Sequence, residues 1–175
     1  MLKKTAIVVA VLVIGILAFA ATRPDTFHVE RSATIKAPPE KIFPFLNDFK
    51  LSQAWSPWEK KDPAMKRTFG NTTSGKGAYY AWEGNKDVGK GSMEVAESTP
   101  PSRLVLNLTF LEPFEAHNTA TYVLKPEGDS TKVTWSIDGP MPYISKVVSI
   151  FCDMDTLIGK DFETGLANLK TIAEK

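Results

Sequence analysis

Hydrophobic positions recur along this chain with three different periods, and each period predicts a different element. The N-terminal period is none at all: Met1-Leu-Lys-Lys4 leads into Thr5-Ala-Ile-Val-Val-Ala-Val-Leu-Val-Ile-Gly-Ile-Leu-Ala-Phe-Ala-Ala21, 17 uncharged residues that would be apolar on every helix face. At about 1.5 Å per residue this helix spans roughly 26 Å, close to the hydrocarbon thickness of a bilayer. From residue 27 the pattern alternates with period two, predicting strands over 27–36, Lys66–Phe69, 78–83, 89–98, Arg103–Glu112, 115–126 and 131–138. The separators Glu83-Gly-Asn-Lys86, Thr99-Pro-Pro-Ser102, Glu112-Pro-Phe114 and Glu127-Gly-Asp-Ser130 carry turn chemistry. Between the first two strands, Ala37-Pro-Pro-Glu40 starts a helix with Pro39 near its first turn, with Ile42, Phe45 and Leu46 inward and Pro44 shortening or kinking it. A second short helix is predicted over 49–54. After Gly139-Pro-Met-Pro142 the period becomes three to four. Ile144, Val147, Val148, Phe151, Met154, Ile158, Phe162, Leu166, Leu169 and Ile172 predict one amphipathic helix of about eight turns, with Phe151 and Phe162 toward the sheet.

The order strand, two short helices, strand meander, long helix defines an α+β class, because one sheet and one helix must bury their apolar faces on each other. A curved antiparallel sheet gripping a C-terminal helix follows, with residues 1–25 as membrane segment and linker and 26–175 as the folded domain. Lys3 and Lys4 keep the N-terminus cytoplasmic and place the domain on the periplasmic or extracellular side. Ala18-Phe-Ala20 has the small-x-small form of a signal-peptidase site. The 17-residue run, however, exceeds the roughly 7–15 residues of a signal core, which favours an uncleaved anchor. Composition narrows the chemistry further. The single cysteine, Cys152, excludes an intrachain disulfide and argues against a cysteine-based zinc site. Beyond residue 25 the chain holds 18 basic and 19 acidic residues without a basic run, which gives no support for nucleic-acid binding.

Five stretches carry a resemblance to a known family: Ile35-Lys-Ala-Pro-Pro-Glu-Lys-Ile-Phe43, Trp55-Ser-Pro-Trp58, Ala81-Trp-Glu-Gly84, Pro113-Phe-Glu-Ala-His-Asn-Thr119 and Gly159-Lys-Asp-Phe-Glu-Thr-Gly-Leu-Ala-Asn-Leu-Lys170. The chain resembles the START-like (SRPBCC) superfamily with its helix-grip fold, and within it the polyketide cyclase/dehydrase-type branch, over about residues 27–174. The resemblance implies a cavity between sheet and helix. It implies no single activity, since the superfamily includes lipid carriers, plant allergens and cyclases.

Strand parity predicts the face that lines such a cavity. Tyr80 and Trp82 share a face, as do Met93 and Val95, Leu104 to Phe110, Asn118 to Leu124, and Val133, Trp135 and Ile137. Gly89, Gly91, Ala78 and Ala120 leave room on that face, while Gly159 and Gly165 thin the helix, unless those two serve close packing on the sheet. The candidate ligand-binding residues are therefore Trp55, Trp58, Tyr80, Trp82, Met93, Leu106, Asn118, Tyr122, Trp135, Met154 and Ile158. The hydroxyls of Tyr80 and Tyr122, the Asn118 amide and the indole nitrogens of Trp82 and Trp135 are the polar groups that would orient a ligand. Trp55 and Trp58 are expected at the cavity mouth, either closing it or plugging it.

Catalytic chemistry has little to draw on. Parity turns His117 outward, and His28 and His117 lie too far apart to suggest a metal site. Cys152 sits beside Asp153 and Asp155, which oppose a thiolate, so it reads as a structural thiol. Glu83 and Glu94 fall on the outer face, and no nucleophile-elbow, phosphate-loop or dinucleotide motif is present. No catalytic residue, metal or cofactor is implied. Three functions remain in view: binding or carriage of a hydrophobic small molecule or lipid by a membrane-tethered domain, a cyclase/dehydrase-like enzyme on such a ligand, and an envelope interaction domain without a ligand.

Overall fold

The computed structural model describes residues 2–112, 114–151 and 153–175, without the side chains of Leu2 and Lys3. The reading of Cys152 as a structural thiol, Pro113 of the 113–119 stretch and the Lys3 side chain lie outside the described residues. A helix α1 (Leu2–Ala21) precedes β1 (Thr26–Ile35). Three short helices follow: α2 (Pro39–Asn47), α3 (Phe49–Ser52) and α4 (Trp58–Lys61). Then come β2 (Lys66–Phe69), β3 (Tyr79–Glu83), β4 (Lys90–Thr99), β5 (Arg103–Glu112), β6 (Ala116–Glu127) and β7 (Ser130–Pro140). The chain ends with α5 (Tyr143–Val148) and α6 (Met154–Ala173).

All seven strands form one antiparallel sheet in the order β1-β7-β6-β5-β4-β3-β2. The meander β2 to β7 follows from the short turns between its strands, and β1 closes on β7 through a ten-residue register from Thr26↔Pro140 to Ile35↔Thr131. The alternation puts Val29 and Ile35, Tyr80 and Trp82, Leu104 and Leu106, Ala120, Tyr122 and Leu124, and Val133, Trp135 and Ile137 into one buried face. α6 packs on β1 and α2 through Phe162, Leu166, Leu169 and Ala173. This is the α+β helix-grip arrangement that the periods predict. α2 runs for nine residues straight through Pro44, with Pro39 in its first turn. So short a helix loses only one hydrogen bond at the proline.

The C-terminal stripe is not one helix. It is broken between α5 and α6, and Ile144, Val148 and Phe151 are 70%, 54% and 74% exposed. Phe151, expected against the sheet, lies in solvent. The break has a local cause. Asp153 is held in an extended conformation, and its carboxylate accepts from the Asp155 amide (3.1 Å) and from the Thr156 hydroxyl, so it caps α6 and starts the helix afresh.

Arg31 is the residue that alternation on β1 did not anticipate. It shares the inward parity of Val29 and Ala33, yet it is a cation. It reaches across α6 to Asp155 (2.8 and 3.0 Å) and Glu163 (2.9 Å). Its guanidinium lies where a Cβ on residue 159 would stand, so Gly159 is the gap that lets the arginine cross. Gly165 makes the same allowance for the rigid ring of Trp135, 2.8 Å from the position of an added Cβ. Both helix glycines thus serve close packing on the sheet.

Two outcomes check this packing in the full-length chain by denaturant unfolding. Phe162→Ala should cost about 3–5 kcal/mol, since a buried ring is removed, whereas Phe151→Ala should stay within about 0.5 kcal/mol. Gly165→Ala should destabilise by about 1–3 kcal/mol through overpacking on Trp135, although alanine is the better helix former. Equal effects at 151 and 162 would refute the broken helix.

The Arg31 clamp also sets a pH dependence. The hydrogen bond from Arg31, and then its charge, hold the Asp155 carboxyl below the usual aspartate range. A carboxylate depressed in the folded state contributes stability that is complete above its unfolded value of about 3.9 and is lost as pH falls through the folded value. The stability difference between the wild-type chain and Arg31→Gln should therefore shrink as pH falls from about 5 to about 2. A difference that stays constant across that window would show that the clamp acts by packing alone.

Candidate ligand-binding cavity

Seven strands about 4.8 Å apart make a sheet roughly 30 Å wide, and one helix about 10–12 Å across cannot cover it. α6 lies toward the β1 side, so the β3 to β6 part of the inner face has to be filled by other groups or stay open. α2 and α3 fill part of it with Phe43, Leu46 and Phe49. What remains is a cavity of about 810 Å³. Its walls are Tyr80, Trp82, Met93, Leu106, Tyr122 and Trp135 on the sheet, Met154, Ile158 and Phe162 on α6, and Trp58 on α4. Ten of the eleven sequence-predicted residues stand in this lining, Asn118 included.

Trp55 is the exception. It is 4% exposed, its indole donates to the Phe45 carbonyl (2.8 Å), and its ring meets those of Trp135 and Tyr122 edge-on. It stands behind the wall as core. Only Trp58 of the pair reaches the cavity, packed edge-on against Trp135 at 5.8 Å between ring centres. Trp55 lies before the one-turn α4, of which Trp58 is the first residue after the Pro57 cap, and both rings meet Trp135. Neither indole stands at the mouth. The room expected at Gly91 is also taken, because the Trp82 ring lies 2.6 Å from where a Cβ would be.

Two of the five polar groups of this face are committed to the protein. The Trp82 indole donates to the Val88 carbonyl (3.1 Å), and the Tyr80 hydroxyl donates to Glu59 (3.4 Å). Asn118 Oδ1 and Trp135 Nε1 are enclosed without a partner among the described residues, Asn118 Oδ1 being turned onto Gly139. Burial raises the Tyr122 hydroxyl well above the ordinary tyrosine range. Burial, followed by the Glu59 charge, raises that of Tyr80. Both phenols are thereby held neutral.

Parity could not find two carboxylates in the lining, because both lie on helices. Glu59 on α4 is held by Arg67 (Nε to Oε2 2.9 Å), and Asp161 on α6 by Lys61 (2.7 Å to each oxygen). Each faces a cation of its own, and the two pairs fasten α4 to β2 and to α6. His117 lies on the outer face, beside Thr109 and Glu115. Among the described residues, no three His, Cys, Asp or Glu side chains come together as a metal site.

The exposed members of the lining mark where the cavity opens. They are Phe114, Glu115, Pro140, Pro142, Ile144 and Val148, and every one belongs to the turn after β5 or to the stretch from the last residue of β7 to α6. The sequence signal for this mouth was available in Gly139-Pro-Met-Pro142, whose prolines end β7 and turn the chain away from the sheet.

A sheet packed on a long C-terminal helix, with short helices after β1 and an apolar cavity between them, is a helix-grip domain of the START-like type. The solved structures it resembles share that fold. They include protein CV1439 from Chromobacterium violaceum (TM-score 0.61, 15% identity, covering 87% of this chain and 99% of that one). The Aha1 dimer from Colwellia psychrerythraea gives a TM-score of 0.61 at 16% identity, over 85% of this chain and 96% of that one. Ara h 8.0201 gives 0.57 at 11%, over 85% and 97%. At these identities the likeness is one of fold. No curated protein matches the chain. The family described as polyketide cyclase / dehydrase and lipid transport matches residues 26–174, and the chain belongs to it.

Proposed function

We propose that this chain is a membrane-tethered, extracytoplasmic domain that binds or carries one hydrophobic small molecule or lipid in the cavity between α6 and the sheet. The cavity carries the reading. Its volume of about 810 Å³ lies within the roughly 300–1,000 Å³ usual for ligand sites. Its walls are carbon, and most polar atoms at its edge are already bonded to the protein or enclosed. A ligand rich in hydrocarbon gains by entering, whereas a polar one would lose its hydration for few new bonds. The family's lipid-transport description agrees with this. The cyclase/dehydrase alternative would use Glu59 or Asp161, but the cation beside each already occupies it.

The tether rests on α1. Lys4–Ala21 is long and apolar enough to cross a membrane, and 6% of it is buried in the protein. Its flanking lysines favour a cytoplasmic N-terminus.

Extraction of the full-length chain in mild detergent, followed by native mass spectrometry, should show one apolar molecule per chain. Ala120→Trp fills the cavity from the sheet side and should lower occupancy at least tenfold. Trp55→Ala, behind the wall, should destabilise by about 3–5 kcal/mol and keep the ligand in the folded fraction. Equal occupancy in wild type and Ala120→Trp would exclude the cavity as the site. For topology, a reporter active only outside the cytoplasm, fused after Lys175, should be active.

A further inference from the structure

We infer that the cavity mouth is held against the bilayer that α1 enters, with Phe114, Ile144 and Val148 seated in lipid, so that the ligand moves between membrane and cavity without crossing water. The route taken by the ligand rests on the cavity reading above; the seating of the rim rests on the tether reading and on the geometry that joins α1 to the mouth.

Strand register places the parts. Thr26 pairs with Pro140, and β5 and β6 meet at the turn holding Phe114, so the end of α1, that turn and α5 share one end of the sheet. The other end holds the Gly128 turn, roughly 35 Å away along β7 at about 3.4 Å per residue. α1 is docked at the mouth end. The Tyr143 hydroxyl donates to the Leu17 carbonyl (2.8 Å), Arg23 to the Ser149 carbonyl (3.4 Å), and the Met141 amide to the Asp25 carbonyl (2.7 Å). Lys146, 7% exposed, pairs with Asp25, and Ala20 is fully buried.

This strap fixes the depth of the mouth. The rest of α1 is exposed and apolar on all sides, so it needs hydrocarbon around it. Leu17 lies four residues before the end of the apolar run, about 6 Å along the helix. The residue bonded to it, Tyr143, is therefore at interfacial depth, where tyrosine is favoured. Arg23, just past the run, lies over the Phe19 ring at 5.7 Å and reaches toward the polar side. With Tyr143 at the interface, Ile144 and Val148 on the same short helix stand beside the bilayer. They are 70% and 54% exposed, and Phe114 across the mouth is 82% exposed. Apolar side chains left so open around one mouth mark a contact surface.

The test places single cysteines, in a Cys152→Ser background, at Phe114, Ile144 and Val148, with Asp129 beside the Gly128 turn as control. Each full-length variant is labelled with an environment-sensitive fluorophore and reconstituted into phosphatidylcholine vesicles with or without brominated acyl chains. Bromine should quench the three rim labels at least threefold more than the label at 129. Rim quenching no greater than that at 129 overturns the proposal, as does release of the chain from vesicles by cleavage after α1. Asp25→Asn, which removes the Lys146 ion pair from the strap, should halve rim quenching when combined with Tyr143→Phe, which removes the bond to Leu17; unchanged quenching in the double variant overturns the strap's role in orientation. The cavity reading fails separately. If the wild-type chain carries no ligand while the rim is quenched, the rim seating stands alone. If Ala120→Trp empties the cavity, its rim quenching should remain that of the wild type.

Discussion

One ring stack joins the two layers of this protein. Trp135 of β7 lies face to face with Phe162 of α6, 3.8 Å between ring centres and 10° from parallel. Large flat rings bury much area at small entropic cost, and their contact fixes both the distance and the rotation of the helix over the sheet. The neighbours follow from it. Tyr122 packs beside Trp135 on the sheet, while Trp55 and Trp58 close on its edges. Residue 165 can only be glycine-sized, because the indole edge occupies the space of a side chain. One turn toward the N-terminus the contact changes character: Arg31 crosses over Gly159 to two carboxylates. An aromatic stack and an ionic clamp together hold α6 against the β1 side of the sheet.

That placement produces the cavity. A helix held at one side of a wide sheet leaves the inner face of β3 to β6 only partly covered, by α2 and α3. α4 bridges the opening, fastened by Arg67–Glu59 on one side and Lys61–Asp161 on the other. These pairs are part-exposed, so each contributes little to stability. Their geometric effect is larger: they hold Trp58 at the wall and occupy Glu59 and Asp161, the two helical carboxylates that border the cavity. The hydrocarbon character of the site is therefore a result of how charges are paired around it.

Period two made the sheet legible. All seven strands fall within two residues of the positions that alternation predicts at either end, and their inward face follows too, because a strand half in water must alternate. Nine of the ten predicted residues found in the lining followed from the same parity together with the helix stripe, and the tenth, Trp58, from the irregular tryptophan segment. What periodicity could not show was anything decided by one side chain against its pattern. Arg31 has inward parity and a charge, and only its partners on α6 make that sensible. Trp55 and Trp58 look alike in the sequence, yet Trp55 is core, its indole held by the Phe45 carbonyl, and Trp58 lines the cavity. Glu59 and Asp161 lie on helices, which strand parity does not address.

The C-terminal stripe misled for a reason that bears on function. Ile144 to Ile172 keep a helical period throughout, and a continuous helix would have added about ten residues, roughly 15 Å, over the β7–β6 end of the sheet. Asp153 prevents this by capping α6 with its own carboxylate. The segment before it is drawn instead to the linker after α1, where Lys146 finds Asp25. At the opposite end the layers are sealed: Thr131 donates to the Ala37 carbonyl (2.7 Å), Lys170 to the Thr34 carbonyl (2.8 Å), and the Lys36 amide to Glu174 (2.7 Å). A cavity closed by hydrogen bonds at one end can open only at the other. It opens there because the Asp153 cap starts α6 late, and the apolar residues that would have covered the sheet are left around the mouth.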